Sequence, residues 1–321
     1  MTQSFFEAIN EDFNALDRLV LENLDSRVPL VEEIAHYLLK SGGKRLRPLL
    51  VLLAAKSLGY TGSDHIKLAT VIEFLHTAML LHDDVVDESD LRRGRKTVNI
   101  KWGNAPSVLV GDFLHSRAFE LMVEVGDMDV MAILSRATNI ISEGEVQQLC
   151  HIRNPGTTEP EYMEIITRKT ATLFQAAAQS GAIIAGAKDE EFQALGDYAL
   201  HLGIAFQLVD DHLDYFGDTA TLGKNVGDDF AEGKVTLPLI AAMKNGSEEQ
   251  STYIKKAVLE GGAERLDRVL DLVKDTGGLD YTQKLAAKEK CKALDSIRDL
   301  PSSIYREALE DLAEFSVARK N

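Results

Sequence analysis

Apolar residues recur three and four positions apart along most of the chain, which is the spacing of one face of an α-helix. No segment shows the alternation of apolar and polar residues between turn residues that indicates a β-strand. The pattern therefore predicts an all-α fold, in a single domain over residues 1–321. The predicted helices lie at 5–22, 29–40, 48–58, 64–88, 106–125, 128–152, 160–187, 189–216, 235–244, 247–260, 263–275, 279–299 and 301–318.

Three polar segments interrupt the helical pattern, at 41–47, 88–105 and 217–234, and each is predicted to be a loop. These loops contain clustered basic residues, although the chain as a whole has a formal net charge of −16. Nucleic acids select basic surfaces, because their backbones carry regularly spaced phosphates. We therefore expect no nucleic-acid partner.

The composition is that of a soluble globular protein, with 45% hydrophobic and 27% charged residues. Only Cys150 and Cys291 are present, without the spacing of a disulfide framework or a redox motif, which indicates a reducing compartment. The first twenty residues contain acids and no basic segment before an apolar one, and no apolar stretch approaches the ~18 residues of a membrane span. These features predict a cytoplasmic protein without a signal peptide or a transmembrane segment.

Two aspartate clusters have the same D-D-x-x-D spacing, and each follows an apolar helical segment. They consist of Asp83, Asp84 and Asp87, and of Asp210, Asp211 and Asp214. Positions i and i+4 share a helix face, so the acids of each cluster lie side by side and repel one another. Carboxylates are ligands that Mg²⁺ prefers, often together with substrate phosphates, whereas zinc ligands at zinc spacing are absent. One cluster alone would be interpreted equally well as a solvated helix end, but two such clusters favour metal binding.

Seven stretches of the chain carry a wider resemblance. They are GGKRLRP (42–48), EFLHTAMLLHDDVVDESDLRRG (73–94), VLVGDFLHSRAF (108–119), EGEVQQL (143–149), RKTATLF (168–174), FQLVDDHLDY (206–215) and GKNVGDDFAEGKVTLP (223–238). With these motifs in this order, the chain resembles the trans-isoprenyl diphosphate synthases, and within that family most of all the bacterial octaprenyl diphosphate synthases. The similarity extends over almost the whole chain and implies an isoprenoid-synthase fold, a helical bundle around a deep central cavity.

The resemblance implies a role for each motif. The six aspartates would hold about two or three Mg²⁺ ions on an allylic diphosphate, and the basic residues would bind two diphosphates. The allylic diphosphate would be contacted by Arg92, Lys169, Lys224 and Lys234. The diphosphate of isopentenyl diphosphate would be bound by Lys44, Arg47, His76 and Arg93. Thr170 and Gln207 would face the reacting allylic carbon.

Considered singly, several of these residues have ordinary structural interpretations. His76 alone would be taken for a packed core histidine, although it lies two helical turns before Asp83 and can face the same cavity. Arg92 and Arg93 could belong to a solvated loop, and Lys169 and Thr170 to a helix surface. Gln207 lies in an apolar segment and is less easily explained in this way, because a buried amide needs hydrogen-bond partners.

The length of the product is predicted to depend on Ala78 and Met79, which lie five and four residues before the first aspartate of the first cluster. Relatives in the resembled family that stop at short products often carry a bulky aromatic residue there. Ala78 leaves the space open and Met79 is flexible, so we expect a long product. The alternative is that Ala78 only permits close packing of two helices.

The sequence thus predicts an enzyme that condenses isopentenyl diphosphate onto an allylic diphosphate, with farnesyl diphosphate as the expected primer. The expected product is octaprenyl diphosphate, passed to the membrane for a quinone side chain, and the resemblance implies a homodimer. A shorter or longer product, such as geranylgeranyl or solanesyl diphosphate, is the alternative. A class I terpene cyclase would need no isopentenyl diphosphate and usually lacks the second cluster. A non-catalytic prenyl synthase subunit tends to have degraded clusters, whereas both clusters are intact here.

Overall fold

The computed structural model describes residues 4–39, 42–216 and 226–318, and these residues are almost entirely helical. The first helices are α1 (Ser4–Glu7), α2 (Asn10–Glu22), α3 (Pro29–Leu39), α4 (Leu46–Ser57), α5 (Asp64–Val86), α6 (Val98–Trp102), α7 (Asn104–Val125) and α8 (Met128–Cys150). They are followed by α9 (Glu159–Ile166), α10 (Thr172–Ile184), α11 (Asp189–Phe216), α12 (Asp228–Ala231), α13 (Leu237–Asn245), α14 (Glu248–Glu260), α15 (Leu266–Asp275), α16 (Gly278–Ser296) and α17 (Ile304–Ala318). The predicted all-α fold class is confirmed.

Several details differ from the predicted elements. The helix predicted at 5–22 is divided into α1 and α2, and α12 lies within the segment predicted as a loop at 217–234. The segment predicted as a loop at 88–105 contains α6 and a short antiparallel hairpin of β1 (Leu91–Arg92) and β2 (Arg95–Lys96). A strand of two residues is too short to produce a detectable alternation. The helix predicted at 160–187 is interrupted by a π-helical turn, Thr167–Ala171, and a 3₁₀ turn, Ala263–Arg265, precedes α15. A π turn inserts one residue into a helix, and the apolar periodicity on either side does not reveal it.

The described residues divide into two compact units. The first unit contains Met1–Ala137, Leu173–Ala199 and Ser296–Leu312, and the second contains Thr138–Thr172, Leu200–Asp295 and Ala313–Asn321. The single-domain interpretation over residues 1–321 stays a prediction. Within the described residues, none of the helices combines the length and the apolar character that crossing a membrane requires.

In the first unit, α4 is buried along almost its entire length, and α5 packs beside it and against α7. The C-terminal part of α5 approaches α7 closely, because α7 has small residues at the contact. The hydroxyl of the buried Ser107 donates to the carbonyl oxygen of Leu81 over 2.9 Å. A Cβ atom on Gly111 would lie 2.3 Å from Nε2 of His82. The first aspartate cluster follows this contact directly, so the packing of α5 on α7 determines where it lies.

The core of the second unit forms around the C-terminal half of α11. Leu208, Val209 and Leu213 of this helix are buried together with apolar residues of α9 and of the helices that follow α11. Burying each such side chain contributes roughly 1.5–3 kcal/mol relative to leaving it exposed. Gln207, Asp210 and Asp214 alternate with these apolar residues along α11. The polar side chains of this helix therefore lie at defined positions beside the core.

Candidate active site

The first aspartate cluster lies at the C-terminal end of α5, where Asp83 and Asp84 occupy the last turn and Asp87 caps the helix. Asp84 is buried, and its Oδ1 accepts hydrogen bonds from Nε and Nη2 of Arg92, at 2.8 and 2.6 Å. Burial raises the pKa of Asp84, and the guanidinium of Arg92 counteracts that effect. Arg92, predicted to contact a diphosphate, is therefore held next to the carboxylates. Asn99 supports the turn by donating to the carbonyl oxygen of Asp84 over 3.0 Å.

Both aspartate clusters lie near the C-terminal ends of their helices, and a helix C-terminus disfavours negative charge. The carbonyl end of a helix carries partial negative charge, which stabilises cations and destabilises anions nearby. The last turns of α5 and α11 contain aspartates and no basic residue. Like charges four residues apart add a further few tenths of a kcal/mol of repulsion. A divalent cation would relieve both effects, so the carboxylate donor sets suit the predicted magnesium. Among the described residues, no three such side chains are arranged to hold a metal by themselves.

A basic group in the first unit contains three of the four residues predicted to bind isopentenyl diphosphate. Nη1 of Arg47 lies 3.2 Å from Nε2 of His76, and its guanidinium stacks 4.5 Å from the ring centre of Phe174. Desolvation and the charges of Arg47, Arg93 and Arg92 lower the pKa of His76 well below its usual value. A neutral His76 among arginines can accept or donate a hydrogen bond, while the guanidiniums supply the charge that a phosphate needs. We call Arg47, His76 and Arg93 the arginine group.

The glycines of the GGKRLRP motif permit this arrangement. A Cβ atom on Gly43 would lie 2.5 Å from Nη1 of Arg93, so only glycine allows the guanidinium to lie against the backbone there. Lys44 follows directly and is half-buried. Arg45 adopts a left-handed backbone conformation, with φ of 46°, and forms ion pairs with Asp17 and with Glu73. Arg45 thus anchors the loop to α2 and α5.

The second aspartate cluster lies near the end of α11. Asp211 is buried, and it accepts hydrogen bonds from Nε2 of Gln207, at 2.7 Å, and from the hydroxyl of Tyr162. Burial and the charge of Asp229 raise the pKa of Asp211 to about 7, while the two hydrogen bonds act in the opposite direction. Asp214 is also buried, and its Oδ2 accepts a hydrogen bond from the backbone of Asp229 over 3.2 Å. Asp210 is half-buried.

Lys169 and Thr170 lie in the π-helical turn, a feature that occurs frequently at functional sites. Nζ of Lys169 donates to Oε2 of Glu145 and to Oε1 of Gln148, over 2.6 and 2.7 Å. The hydroxyl of Thr170 donates to Oε1 of Gln207 over 3.0 Å. The EGEVQQL motif on α8 therefore positions the lysine of the RKTATLF motif.

Gly144 lets α8 approach the π-helical turn. A Cβ atom at this position would lie 2.8 Å from Cβ of Arg168 and 2.9 Å from the backbone nitrogen of Lys169. Gly144→Ala is therefore expected to lower the free energy of unfolding by about 1–3 kcal/mol, because backbone atoms must move to accommodate the methyl group. Equilibrium unfolding in urea would measure this.

Gly196 offers a matched control for that substitution. It is also a buried helical glycine, but an added Cβ would meet only the side chain of Gln179, which can move aside. Gly196→Ala should leave the stability unchanged or raise it by up to about 1 kcal/mol, through the higher helix propensity of alanine. Equal effects of the two substitutions would contradict the close approach of α8 to the π turn.

One cavity of about 100 Å³ in the second unit collects many of the predicted residues. Its lining includes Lys169, Thr170, Gln207, Asp211 and Lys234. Apolar side chains of α9 and of the segment before α13 complete the wall. The cavity thus combines cationic and polar groups with an apolar surface, which is the combination that a prenyl diphosphate requires.

The remaining predicted residues have more varied environments. Nζ of Lys234 forms an ion pair with Glu232 at 2.6 Å. Lys224 lies outside the described residues. Ala78 is buried, with 1% of its surface exposed, whereas Met79 is half-buried.

Four residues near the site have no role in the sequence prediction: Tyr162, Asp229, Glu145 and Gln148. Glu145 and Gln148 belong to the EGEVQQL motif, so their proximity to Lys169 could have been suspected. Tyr162 lies seven residues before Lys169, the same spacing that connected His76 with Asp83. Asp229 belongs to no periodic pattern in the sequence, and only the folding of the chain brings it near Asp211.

Comparison with known proteins gives consistent matches. The family model described as polyprenyl synthetase matches residues 28–275. The chain is 50% identical to an octaprenyl diphosphate synthase of Haemophilus influenzae, over 96% of this chain and 94% of the relative. It is 47% identical to an all-trans-nonaprenyl-diphosphate synthase (geranyl-diphosphate specific) of Rhodobacter capsulatus, over 99% of this chain and 98% of the relative.

A solved structure is similar over nearly the whole fold. The crystal structure of a polyprenyl synthase from Caulobacter crescentus, complexed with calcium and isoprenyl diphosphate, has a TM-score of 0.96 and 45% identity. The match covers 99% of this chain and 98% of that chain. The backbone that carries the motifs therefore has the same path in both proteins.

Proposed function

Because this chain belongs to the polyprenyl synthetase family, we propose that it extends an allylic diphosphate by successive condensations with isopentenyl diphosphate. It is a prenyltransferase, a long-chain trans-polyprenyl diphosphate synthase. The observation that carries this conclusion is the 50% identity to an octaprenyl diphosphate synthase over 96% of the chain. Sequence identity at this level over a whole chain leaves the helices and the motifs of the site in the same places.

We propose that the basic residues bind the two diphosphates at separate places. The arginine group and Lys44 would bind the diphosphate of isopentenyl diphosphate, since guanidinium groups pair with phosphate oxygens bidentately. Arg92, Lys169 and Lys234, together with Lys224, would contact the allylic diphosphate. The pairing of Arg92 with Asp84 and of Lys169 with Glu145 supports this assignment, because it holds these cations in defined positions.

The two aspartate clusters fit divalent metal ions, and the similar structure from Caulobacter crescentus contains calcium and isoprenyl diphosphate. Asp83, Asp84, Asp87, Asp210, Asp211 and Asp214 would hold the ions, proposed as two or three Mg²⁺. When bound, such ions neutralise negative charge that develops on a departing diphosphate.

In each condensation the carbon–oxygen bond of the allylic diphosphate breaks, and the double bond of isopentenyl diphosphate forms a new carbon–carbon bond with the allylic cation. A proton is then lost, and we propose that the released diphosphate accepts it. Thr170 and Gln207 would present oxygen atoms to the cationic carbon, stabilising it electrostatically. Apolar residues of the cavity wall, such as Ile165, Ile166 and Val235, exclude water that would trap the cation.

The preferred product is proposed to be octaprenyl diphosphate, made from farnesyl diphosphate and destined for a quinone side chain. The octaprenyl and nonaprenyl relatives are almost equally similar to this chain, at 50% and 47% identity, so overall similarity does not distinguish the two product lengths. We propose that Ala78 and Met79 are among the residues that set the final length. We further propose that the protein is a cytoplasmic homodimer that passes its product to the membrane.

The purified chain is expected to convert farnesyl diphosphate, isopentenyl diphosphate and Mg²⁺ into octaprenyl diphosphate, identified by mass spectrometry of the products. Geranyl diphosphate should be tested as a second primer. Omission of isopentenyl diphosphate and addition of EDTA are the controls, and both should abolish the product. Formation of a cyclic product from the allylic diphosphate alone, or complete inactivity of the single chain, would contradict the proposed function.

A further inference from the structure

Four side chains in the second unit form a continuous chain of hydrogen bonds. The hydroxyl of Thr170 donates to Oε1 of Gln207 over 3.0 Å, and Nε2 of the same glutamine donates to Oδ1 of Asp211 over 2.7 Å. The hydroxyl of Tyr162 donates to Oδ2 of Asp211. All four residues line the cavity of the second unit, and Tyr162 and Asp211 are 3% and 2% exposed.

This chain gives the amide of Gln207 a defined polarity. An amide side chain has a donor end and an acceptor end, and Asp211 accepts hydrogen bonds at both of its oxygens, from Gln207 and from Tyr162. Asp211 therefore attracts the donor end, which directs the carbonyl oxygen of Gln207 towards Thr170. In the proposed reaction, an oxygen atom with partial negative charge beside the allylic carbon stabilises the cation, whereas an amide NH₂ group there would destabilise it.

The orientation of the Asp211 carboxylate depends on Tyr162. Gln207 belongs to the same helix as Asp211, four residues away, and contacts only one carboxylate oxygen. The other oxygen is held by Tyr162, which belongs to α9. Without the tyrosine hydroxyl, a buried carboxylate oxygen would lack this donor, and the carboxylate would rotate in search of another one.

From this geometry we infer that Tyr162 is a positioning residue: its hydroxyl acts through Asp211 to orient the amide of Gln207 towards the reacting carbon. The inference rests on the proposed function, because it assumes that Gln207 faces the allylic substrate. It differs from a purely structural role, in which the ring of Tyr162 packs in the core of the second unit and its hydroxyl merely satisfies a buried polar group.

Tyr162→Phe removes the hydroxyl and keeps the ring. The substitution is expected to lower kcat for elongation by about 10–100-fold, in the range typical of residues that orient a ligand group. KM for both diphosphates and the affinity for the allylic diphosphate measured by calorimetry should change by less than about threefold, because the predicted phosphate contacts are retained.

Tyr198→Phe is the matched control. Tyr198 is also a fully buried tyrosine with one hydrogen bond, donated to the carbonyl oxygen of Leu309 over 2.6 Å, but it is not among the predicted site residues. Both variants lose one buried hydrogen bond, so both should melt at a slightly lower temperature, while kcat of Tyr198→Phe should stay within about twofold of the wild type. Kinetics would be measured well below both melting temperatures.

A double-mutant cycle with Gln207→Met tests the connection directly. If Tyr162 acts through Gln207, the double variant should be no slower than Gln207→Met alone, within about twofold. Two results would overturn the inference and leave the proposed function intact. One is a loss of kcat in the double variant equal to the product of the two single losses, and the other is an unchanged kcat for Tyr162→Phe. Failure of the wild-type chain to elongate would instead overturn the proposed function, and the inference with it.

Discussion

Replacement of Asp83 by alanine is expected to slow chain elongation by about a hundred- to a thousandfold while the chain keeps its helical fold. Asp83 is half-buried in the last turn of α5, one helical turn before Asp87 and next to the ion pair of Asp84 with Arg92. The proposed role of its carboxylate is to hold a divalent cation against a departing diphosphate. Asp210, in the corresponding position of the second cluster, should behave in the same way.

The stability of the Asp83→Ala chain should be unchanged or slightly higher, since the substitution removes an anion from the carbonyl end of a helix. Steady-state rates over a range of Mg²⁺ concentrations, together with thermal melting, would measure both effects. Asp129→Ala is the control, because Asp129 is an exposed aspartate in the first turn of α8 outside both clusters. An elongation rate for Asp83→Ala within about threefold of the wild type would refute the metal assignment.

The second large effect concerns product length, which Ala78→Phe is expected to shorten from octaprenyl towards geranylgeranyl or farnesyl diphosphate. Ala78 lies five residues before Asp83 on α5, about 7.5 Å along the helix axis. A phenyl ring there would fill the space into which we propose that the growing chain extends. Product distributions from farnesyl or geranyl diphosphate, separated by chromatography, would show the change, and intermediate side chains at position 78 should give intermediate lengths.

Because Ala78 is buried, the same substitution also tests the alternative interpretation, in which Ala78 serves only helix packing. If Ala78 only permits close helix packing, phenylalanine would overpack the core and lower the stability by roughly 1–3 kcal/mol without changing the product. Ala293→Phe, at a fully buried alanine of α16, supplies that comparison, since it should destabilise the chain and leave the product length as it is. Met79→Phe would extend the test, because Met79 shares a helix face with Asp83 and is only half-buried.

Much of the fold and part of the site follow from local patterns in the sequence. The apolar period predicts the long helices, and the i, i+4 rule is sufficient to place Asp83 beside Asp87. The prediction is weaker in polar segments, where α6, α12 and the β1–β2 hairpin are too short to produce a periodic signal. The π-helical turn gives no signal for a different reason: both of its flanks continue as helix.

The roles of the basic residues come from the resemblance to the trans-isoprenyl diphosphate synthases. Residue order along the chain is by itself sufficient to establish the helical fold class and the side-by-side placement of the acids in each aspartate cluster. Both depend on neighbours within a few turns of the same helix. Packing between helices, by contrast, brings Arg47 to His76, holds Lys169 against Glu145 and Gln148, and lets Tyr162 reach Asp211. These contacts join residues on different helices, and their geometry arises from packing small residues such as Gly144 against a neighbouring backbone. Helical periodicity describes one helix at a time and contains no information about such contacts.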